Sequence, residues 1–197
     1  MMTEIHPFKP FLPENAKVLL LGSFPPQPKR WSIDFYYPNF INDMWRITGL
    51  LFFEDKDFFI KTPLLSNGAK AIFDKEKIIS FCENKGIAMY DTATEIIRLK
   101  DNASDKFLEV VTTTDIDALI KKIPDCNTIV TTGQKATDTL ASKYRCSEPP
   151  IGQYVNINIG ERHIKFYRLP STSRAYPLAL VKKAEYYRKM YQEIGLL

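Results

Sequence analysis

The stretch Ala16-Lys-Val-Leu-Leu-Leu-Gly-Ser-Phe24 decides the fold, because it is a short, almost continuous apolar run that Pro25 and Pro26 end. A run of this length predicts a strand that is buried on both faces, as in a parallel sheet covered by helices. The segment 86–90 (GIAMY) predicts a second buried strand, and 127–132 (NTIVTT) predicts a third strand.

Helical patterns separate these predicted strands. The first covers Asp74 to Asn84 and is closed by Lys85-Gly86, the second begins at a capping Thr114, and the third (GQKATDTLASKY) opens at Gly133. Because strands and helices alternate, we predict an α/β fold built on a parallel sheet.

The C-terminal part changes to a period of two. Residues 154–159 (YVNINI) and 163–169 (HIKFYRL) flank the turn Gly160-Glu161, which predicts a hairpin that adds the last strand to the sheet. Residues 177–195 predict a final helix, on which Lys183 and its basic neighbours are most simply a solvated face. The expected architecture is a three-layer αβα sandwich with a central, mainly parallel sheet.

Composition limits the class of protein. The chain has 197 residues, is 45% hydrophobic and 25% charged, and carries a formal net charge of +4, which fits one globular domain over residues 1–197. Three scattered cysteines and two histidines form no metal-binding motif, so we expect no metal, no iron–sulfur cluster and no other cofactor. No apolar run approaches the roughly 18 residues of a membrane span, and no signal peptide is recognisable. We therefore expect a monomer in the reducing cytoplasm, without membrane contact.

Two segments at predicted strand ends have unusual compositions. The first is LLLGSFPP (19–26), followed by FYYPNFINDMW (35–45), and the second is RLPSTSRAYP (168–177). In open α/β sheets, ligands bind beyond the carboxyl ends of the strands, so these segments are expected to face one crevice.

These segments resemble the uracil-DNA glycosylase superfamily, and most closely its hypoxanthine-DNA glycosylase branch. That branch has a Gly-Ser-x-Pro-Gly loop, a Tyr-Tyr pair, an Asn three residues before a Trp, and a late Leu-Pro-Ser-Thr-Ser loop. The matching residues are Gly22-Ser23-Phe24-Pro25, Tyr36-Tyr37, Asn42, Trp45 and Leu169–Ser173, with weaker matches at Gly86–Asp91 and Ser104-Asp105. The resemblance spans residues 16–195.

The resemblance implies a monofunctional glycosylase that removes uracil, hypoxanthine or xanthine from DNA by base flipping and water attack at C1′. Many members of the superfamily position the water with an Asn or Asp in the first loop, where this chain has Phe24. The implied catalytic residue is instead Asn42, with Asn39 as the alternative if the loop is shifted. Pro26 replaces the second glycine of the loop, which leaves the preferred base open.

The resemblance also implies a role for each loop. The base pocket would contain Gly22, Ser23, Phe24, Tyr36, Tyr37 and Asp91. In this pocket Tyr37, or else Tyr36, would stack on the flipped base, and Asp91 would accept from an N–H on the base edge. Hydroxyls in the second loop would bind DNA phosphates, and its arginine would bind a phosphate or fill the vacated stack; these residues are Ser171, Thr172, Ser173 and Arg174.

Plainer interpretations exist for each motif. The tyrosines could belong to a hydrophobic cluster with Phe35 and Phe40, Asn42 and Asp91 could each cap a helix, and His163 is expected to be structural. Two other functions are also open. One is a DNA-binding protein of this fold with impaired catalysis, and the other is a small-molecule hydrolase or transferase, which the absence of GxSxG, GxGxxG and GxxxxGK[ST] disfavours.

Overall fold

The computed structural model describes residues 2–62, 70–100 and 105–197, so Ser104 lies outside the described residues. The strands are β1 (Thr3–Ile5), β2 (Val18–Gly22), β3 (Ile60–Lys61), β4 (Ile72–Phe73), β5 (Ile87–Asp91), β6 (Ala93–Arg98), β7 (Leu108–Thr113), β8 (Thr128–Thr132), β9 (Tyr154–Ile159) and β10 (Arg162–Leu169). The α-helices are α1 (Met44–Phe53), α2 (Lys75–Lys85), α3 (Ile116–Lys122), α4 (Gln134–Tyr144) and α5 (Leu180–Glu193). Within these ranges no helix is long and apolar enough to cross a membrane.

The central sheet has the strand order β5-β2-β8-β10-β9. Its first four strands are parallel, and β9 pairs antiparallel with β10 as the edge strand. Every residue of β2, β5 and β8 is buried. Because alternate side chains point to opposite faces of a sheet, both faces must be covered, and the helices cover them. The predicted three-layer α/β sandwich is therefore confirmed.

Two predicted helix starts have different outcomes. Asp74 caps α2 as expected, since its carboxylate accepts from the Lys77 backbone N–H at 3.3 Å. For α3 the predicted cap, Thr114, is wrong, because Asp115 accepts from the Ala118 N–H at 3.0 Å. The Thr114 hydroxyl instead donates to the Asp91 carbonyl at 2.6 Å, which ties α3 to the end of β5.

The structure contains a second, three-stranded antiparallel sheet of order β1-β6-β7, which the sequence patterns do not predict. Its middle strand β6 occupies the segment in which Asp91 would cap a helical turn, so that interpretation of Asp91 is wrong. The His6 backbone N–H donates to the Thr94 carbonyl at 2.8 Å, just beyond β1. The second sheet thereby brings the N-terminal segment beside the end of β5.

The final helix forms where the pattern predicts it, but one basic residue is not solvated. Lys183 is fully buried at 0% exposure, whereas its neighbour Lys182 is exposed. The physical reason is a pair of partners in the interior, because Lys183 Nζ lies 2.9 Å from Asp43 Oδ2 and 2.8 Å from the Ser173 carbonyl oxygen.

Candidate active site

A cleft of about 930 Å³ opens at the carboxyl ends of β2, β5, β8 and β10. This volume lies in the usual range for small-molecule sites, roughly 300–1,000 Å³. The structure brings all the predicted site residues together along its walls: Gly22, Ser23, Phe24, Tyr36, Tyr37, Asn42, Asp91, Ser171, Thr172, Ser173 and Arg174. The cleft also contains residues that were not predicted as site residues, including Asp105 and Thr132.

The floor of the cleft depends on a glycine. Gly22 ends β2, and a Cβ atom at this position would lie 2.3 Å from Asp91 Oδ1 and 3.9 Å from the Tyr37 hydroxyl. A contact of 2.3 Å is far inside van der Waals distance, so any other residue would displace the carboxylate. The glycine therefore allows the Asp91 side chain to lie flat across the end of β2.

Asp91 is held by a histidine that sequence reasoning did not assign to the site. His6 Nε2 lies 2.8 Å from Asp91 Oδ2, and the two side chains are only 2% and 10% exposed. Because the partner is a carboxylate, Nε2 carries a proton and donates it. Eighty-five positions separate the two residues, so no local pattern could have linked them.

Tyr37 has a strained backbone and a fixed hydroxyl. Its φ of 51° lies in the left-handed region, which bulky residues rarely adopt and which is common at functional sites. The hydroxyl lies 2.9 Å from Thr132 Oγ1 at the end of β8. Burial raises the pKa of Tyr37, so this phenol is a protonated hydrogen-bonding group at neutral pH.

Two aromatic residues of the predicted pocket are packing residues. Tyr36 is 3% exposed, packs edge-on against Phe35 at 5.2 Å, and donates its hydroxyl to the Lys9 carbonyl at 2.8 Å. The hydrophobic-cluster interpretation therefore applies to Tyr36. Phe24 packs edge-on against His6, with ring centroids 5.2 Å apart. At this position of the first loop the chain therefore has an aromatic ring and no polar side chain, as the sequence indicates.

Asn42 lies at the entrance to α1. Its Oδ1 accepts from the Met44 N–H at 2.9 Å, so the helix-cap interpretation is right for this oxygen. The formal N-cap residue, Asp43, makes no side-chain capping bond. The amide Nδ2 of Asn42 remains as the group that can hold a water or a substrate atom at the cleft. Trp45, one turn later, belongs to the hydrophobic core, with 1% exposure.

The second loop, residues 171–174, is stabilised by hydrogen bonds between its own side chains and backbone. Ser171 Oγ accepts from the Ser173 N–H, and Ser173 Oγ accepts from the Ala175 N–H, both at 3.2 Å. The turn interpretation of these hydroxyls is therefore right, but each remains free to donate its own hydrogen. Thr172 is 2% exposed, and Arg174 Nε lies 3.2 Å from Asp43 Oδ1.

Asp105 adds a second carboxyl group to the cleft. Its pKa is raised, first by burial and then by the nearby charge of Asp91, while a hydrogen bond from Ser23 and the charge of Arg98 oppose the shift. The sequence contained Asp105 only as a weak element of the family resemblance. The cleft thus contains one carboxylate paired with a histidine and one carboxyl that holds its proton more strongly than usual.

Positive charge surrounds these acids. Basic side chains from four separate segments line the cleft: Arg30, Lys106, Lys135 and Arg174. Arg98 also lines it, but its guanidinium is 5% exposed and paired with Glu4 at 2.9 Å. The first turn of α4 also opens onto the cleft at Gly133, whose φ is 123° and where a Cβ atom would lie 3.6 Å from Ser171 Cβ. Free N–H groups at a helix start favour anions. The rim is suited to a polyanion, and the floor to a neutral ring with N–H groups.

Comparison with known proteins identifies the fold. The chain is similar to a protein from Methanosarcina acetivorans that is provisionally named a uracil DNA glycosylase and whose structure was solved in solution by NMR. The TM-score is 0.62 and the identity 20%, over 98% of this chain and 99% of that one. No protein-family model matches the sequence, and no curated protein matches it. At this identity the likeness establishes a shared fold.

Proposed function

We propose that the protein is a monofunctional DNA glycosylase that excises a deaminated base by flipping it into the cleft and directing water to C1′. The observation that carries the proposal is the meeting of three features in one cleft: the Asn42 amide, the Tyr37–Asp91 floor and the hydroxyl-rich loop 171–173. The fold that the chain shares with a provisionally named uracil DNA glycosylase supports the same conclusion. The hypoxanthine type of activity rests on the sequence resemblance.

The floor is suited to a flipped base. Tyr37 offers an aromatic surface whose hydroxyl is fixed by Thr132, and stacking on such a surface offsets the few kcal/mol that unstacking a base costs. Asp91, held by His6, presents Oδ1 above Gly22 and can accept from a base N–H. Uracil, hypoxanthine and xanthine all carry an N–H of this kind on the edge that pairs in DNA.

Bond cleavage requires a water, a stabilised sugar cation and an acceptor for negative charge on the leaving base. In the proposed mechanism Asn42 Nδ2 holds the water at the start of α1. Backbone N–H groups of residues 22–24 would face the leaving base and stabilise its negative charge. Lys183, the lysine beneath the second loop, is completely buried and engaged, which favours water over that amine as the nucleophile.

The second loop and the cationic rim are proposed to hold the strand. Ser171 and Ser173 each have a hydroxyl hydrogen to donate to a phosphate, and the start of α4 lies beside them. Such contacts fix the position of the backbone without reading base sequence. The enzyme would therefore recognise the base by its fit to the floor.

Product formation on defined duplexes tests the proposal. The purified protein is incubated with duplexes that contain one uracil, hypoxanthine or xanthine, and alkali then cleaves any abasic site. We expect product on at least one of them. Binding without product on any duplex would instead favour the catalytically impaired DNA-binding protein, for which the aromatic Phe24 in the first loop is the motivating observation.

Asn42→Ala tests the catalytic assignment. We expect the single-turnover rate to fall by about 100-fold or more, as when other positioned polar groups are removed from active sites, with little change in DNA affinity. Asn39→Ala is the matched comparison, because Asn39 also lines the cleft and its Oδ1, like that of Asn42, accepts from the backbone N–H two residues later. If the loss appears in Asn39→Ala and not in Asn42→Ala, the role belongs to Asn39.

A further inference from the structure

Lys183 is the most deeply buried cation in the described residues, and its ammonium group connects two loops. On α5 it is 0% exposed, and it binds Asp43 Oδ2 at 2.9 Å and the Ser173 carbonyl at 2.8 Å. An ammonium group in the interior is tolerated only with close, well-oriented partners, and removing one partner leaves the other charge unpaired. The contact is therefore a permanent part of the folded chain.

Asp43 is the centre of this arrangement. The residue follows Asn42 directly and is 4% exposed. Its backbone N–H donates to the Thr172 carbonyl at 2.9 Å, and its two carboxylate oxygens bind different cations. Oδ2 binds Lys183, while Oδ1 accepts from Arg174 Nε at 3.2 Å. One residue thus contacts both the proposed catalytic segment and the loop that faces DNA.

The two cations bound to Asp43 differ in exposure. The Lys183 side chain is 1% exposed, whereas the Arg174 side chain is 50% exposed. Half of the Arg174 side chain faces water, so its guanidinium can move to an anion outside the protein without crossing the interior. When Arg174 leaves, the carboxylate is still neutralised by Lys183. When Arg174 dissociates, no buried charge is therefore left unpaired.

We propose that the buried Asp43–Lys183 pair binds Arg174 in the free protein, and that Arg174 transfers from Asp43 to a DNA phosphate when DNA binds. This inference rests on the proposed function for its ligand, the phosphate backbone. Asp43 and Lys183 are then positioning residues. They keep Arg174 oriented over the cleft and set how easily it is released.

The proposal predicts opposite effects for a single and a double variant. In Lys183→Met, Arg174 is the remaining cation hydrogen-bonded to the Asp43 carboxylate among the contacts described, so it is held more tightly and released less readily. We expect DNA affinity to fall roughly tenfold, the scale of one hydrogen bond to a charged group. In Lys183→Met/Asp43→Asn neither buried residue carries a charge, so Arg174 is not held. We expect the affinity for DNA to return to at least the wild-type value.

Salt dependence separates this mechanism from loss of packing. Each phosphate contact on duplex DNA contributes about −0.9 to the slope of log K against log salt. Arg174→Gln should make the slope shallower by about one such contact. Lys183→Met should show the same loss of slope, and the double variant should regain it. A pair with only a structural role would lower the melting temperature in the single variant, and the double variant would recover it, but the salt slope would stay at the wild-type value in both.

The experiment measures fluorescence anisotropy on a duplex with a central abasic-site analogue, over a series of salt concentrations. Lys182→Met is the matched control, since it removes the same charge from the adjacent, exposed residue, which pairs only with Glu185 among the contacts described. Thermal melting confirms that each variant is folded. Wild-type affinity and slope in Lys183→Met, or weaker binding by the double variant than by the single one, would overturn the proposal.

A measurement on the unaltered chain covers the case in which Lys183→Met does not fold. The ¹⁵Nε resonance of Arg174, assigned with Arg174→Gln, is followed during titration with the same duplex. We expect it to shift on binding, and an unchanged resonance at saturation would overturn the proposal. If the protein binds DNA in this way but excises no base, the proposed function fails while the transfer of Arg174 stands.

Discussion

Replacing Gly22 by Ala perturbs the floor of the cleft at one defined atom. The added Cβ would lie 2.3 Å from Asp91 Oδ1, whereas ordinary contact begins near 3.4 Å. The carboxylate must therefore retreat by about 1 Å, because the other side of the contact is the backbone of β2. His6 holds Asp91 Oδ2 at 2.8 Å, so this movement breaks or distorts that bond.

Both the stability and the activity of Gly22→Ala can be estimated. Loss of a buried hydrogen bond to a charged group costs about 1.5–3 kcal/mol, which for a chain of this length lowers Tm by roughly 3–10 °C. A misplacement of about 1 Å in an active site reduces the rate by roughly 100-fold. We therefore expect kcat/KM for base release to fall by about two orders of magnitude in a variant that is still folded.

The assay compares kcat/KM on the best substrate duplex with thermal melting of the same preparation. Gly160→Ala is the matched control, since a Cβ there meets nothing within 4 Å and the residue lies in the β9–β10 turn, away from the cleft. Its φ of 60° costs some stability, so it separates destabilisation from displacement of Asp91. Wild-type kcat/KM in Gly22→Ala would refute the assigned position of Asp91.

Two further predictions concern stability. The pKa of Asp105 is raised in the folded chain, so this group favours folding below its ordinary pKa and that contribution is lost as pH rises through the folded value. Asp105→Asn should therefore be more stable than wild type at neutral pH and equally stable in acid. The midpoints of urea unfolding at the two pH values measure this. Equal midpoints for the two proteins at neutral pH would contradict it. Arg162→Met removes hydrogen bonds to the carbonyls of Ile120, at 2.7 Å, and of Ile123 and Cys126. It should cost about 2 kcal/mol, or roughly 4–8 °C in Tm, with unchanged kcat/KM, and a fall in kcat/KM of the folded variant would count against a purely structural role.

The central sheet was predictable because its signals are local. Val18–Gly22 is a continuous apolar run, and Thr128–Thr132 is rich in β-branched residues; both are followed by turn residues, and a strand of that kind is typical of a sheet buried between two layers. The second sheet lacked such a signal. Ala93–Arg98 (ATEIIR) contains good helix formers, and its pairing with Thr3–Ile5, about 90 residues away, and with Leu108–Thr113 makes it a strand. Long-range pairing of this kind overrides local propensity.

In the candidate site, too, the residues with local sequence signals could be predicted and those with distant partners could not. Asn42 and the loop 171–174 were named from contiguous motifs, and the structure places them on one cleft. His6 and Lys183 were missed, because their partners Asp91 and Asp43 lie 85 and 140 positions away. A lone histidine near a terminus and one lysine among several on a helix carry no pattern. Their roles follow from burial, which the fold determines.

Phe24 acquires a different meaning once His6 is in place. From sequence it marks a loop without a polar group to hold water, and so supports impaired catalysis. In the fold its ring packs edge-on against His6 at 5.2 Å and covers one side of the His6–Asp91 pair. A hydrogen bond shielded from water is stronger, so an aromatic residue here fixes the carboxylate more firmly than a polar one would. Phe24 thus gives the first loop a hydrophobic wall, and β5, the start of α1 and the second loop supply Asp91, Asn42 and the serine hydroxyls.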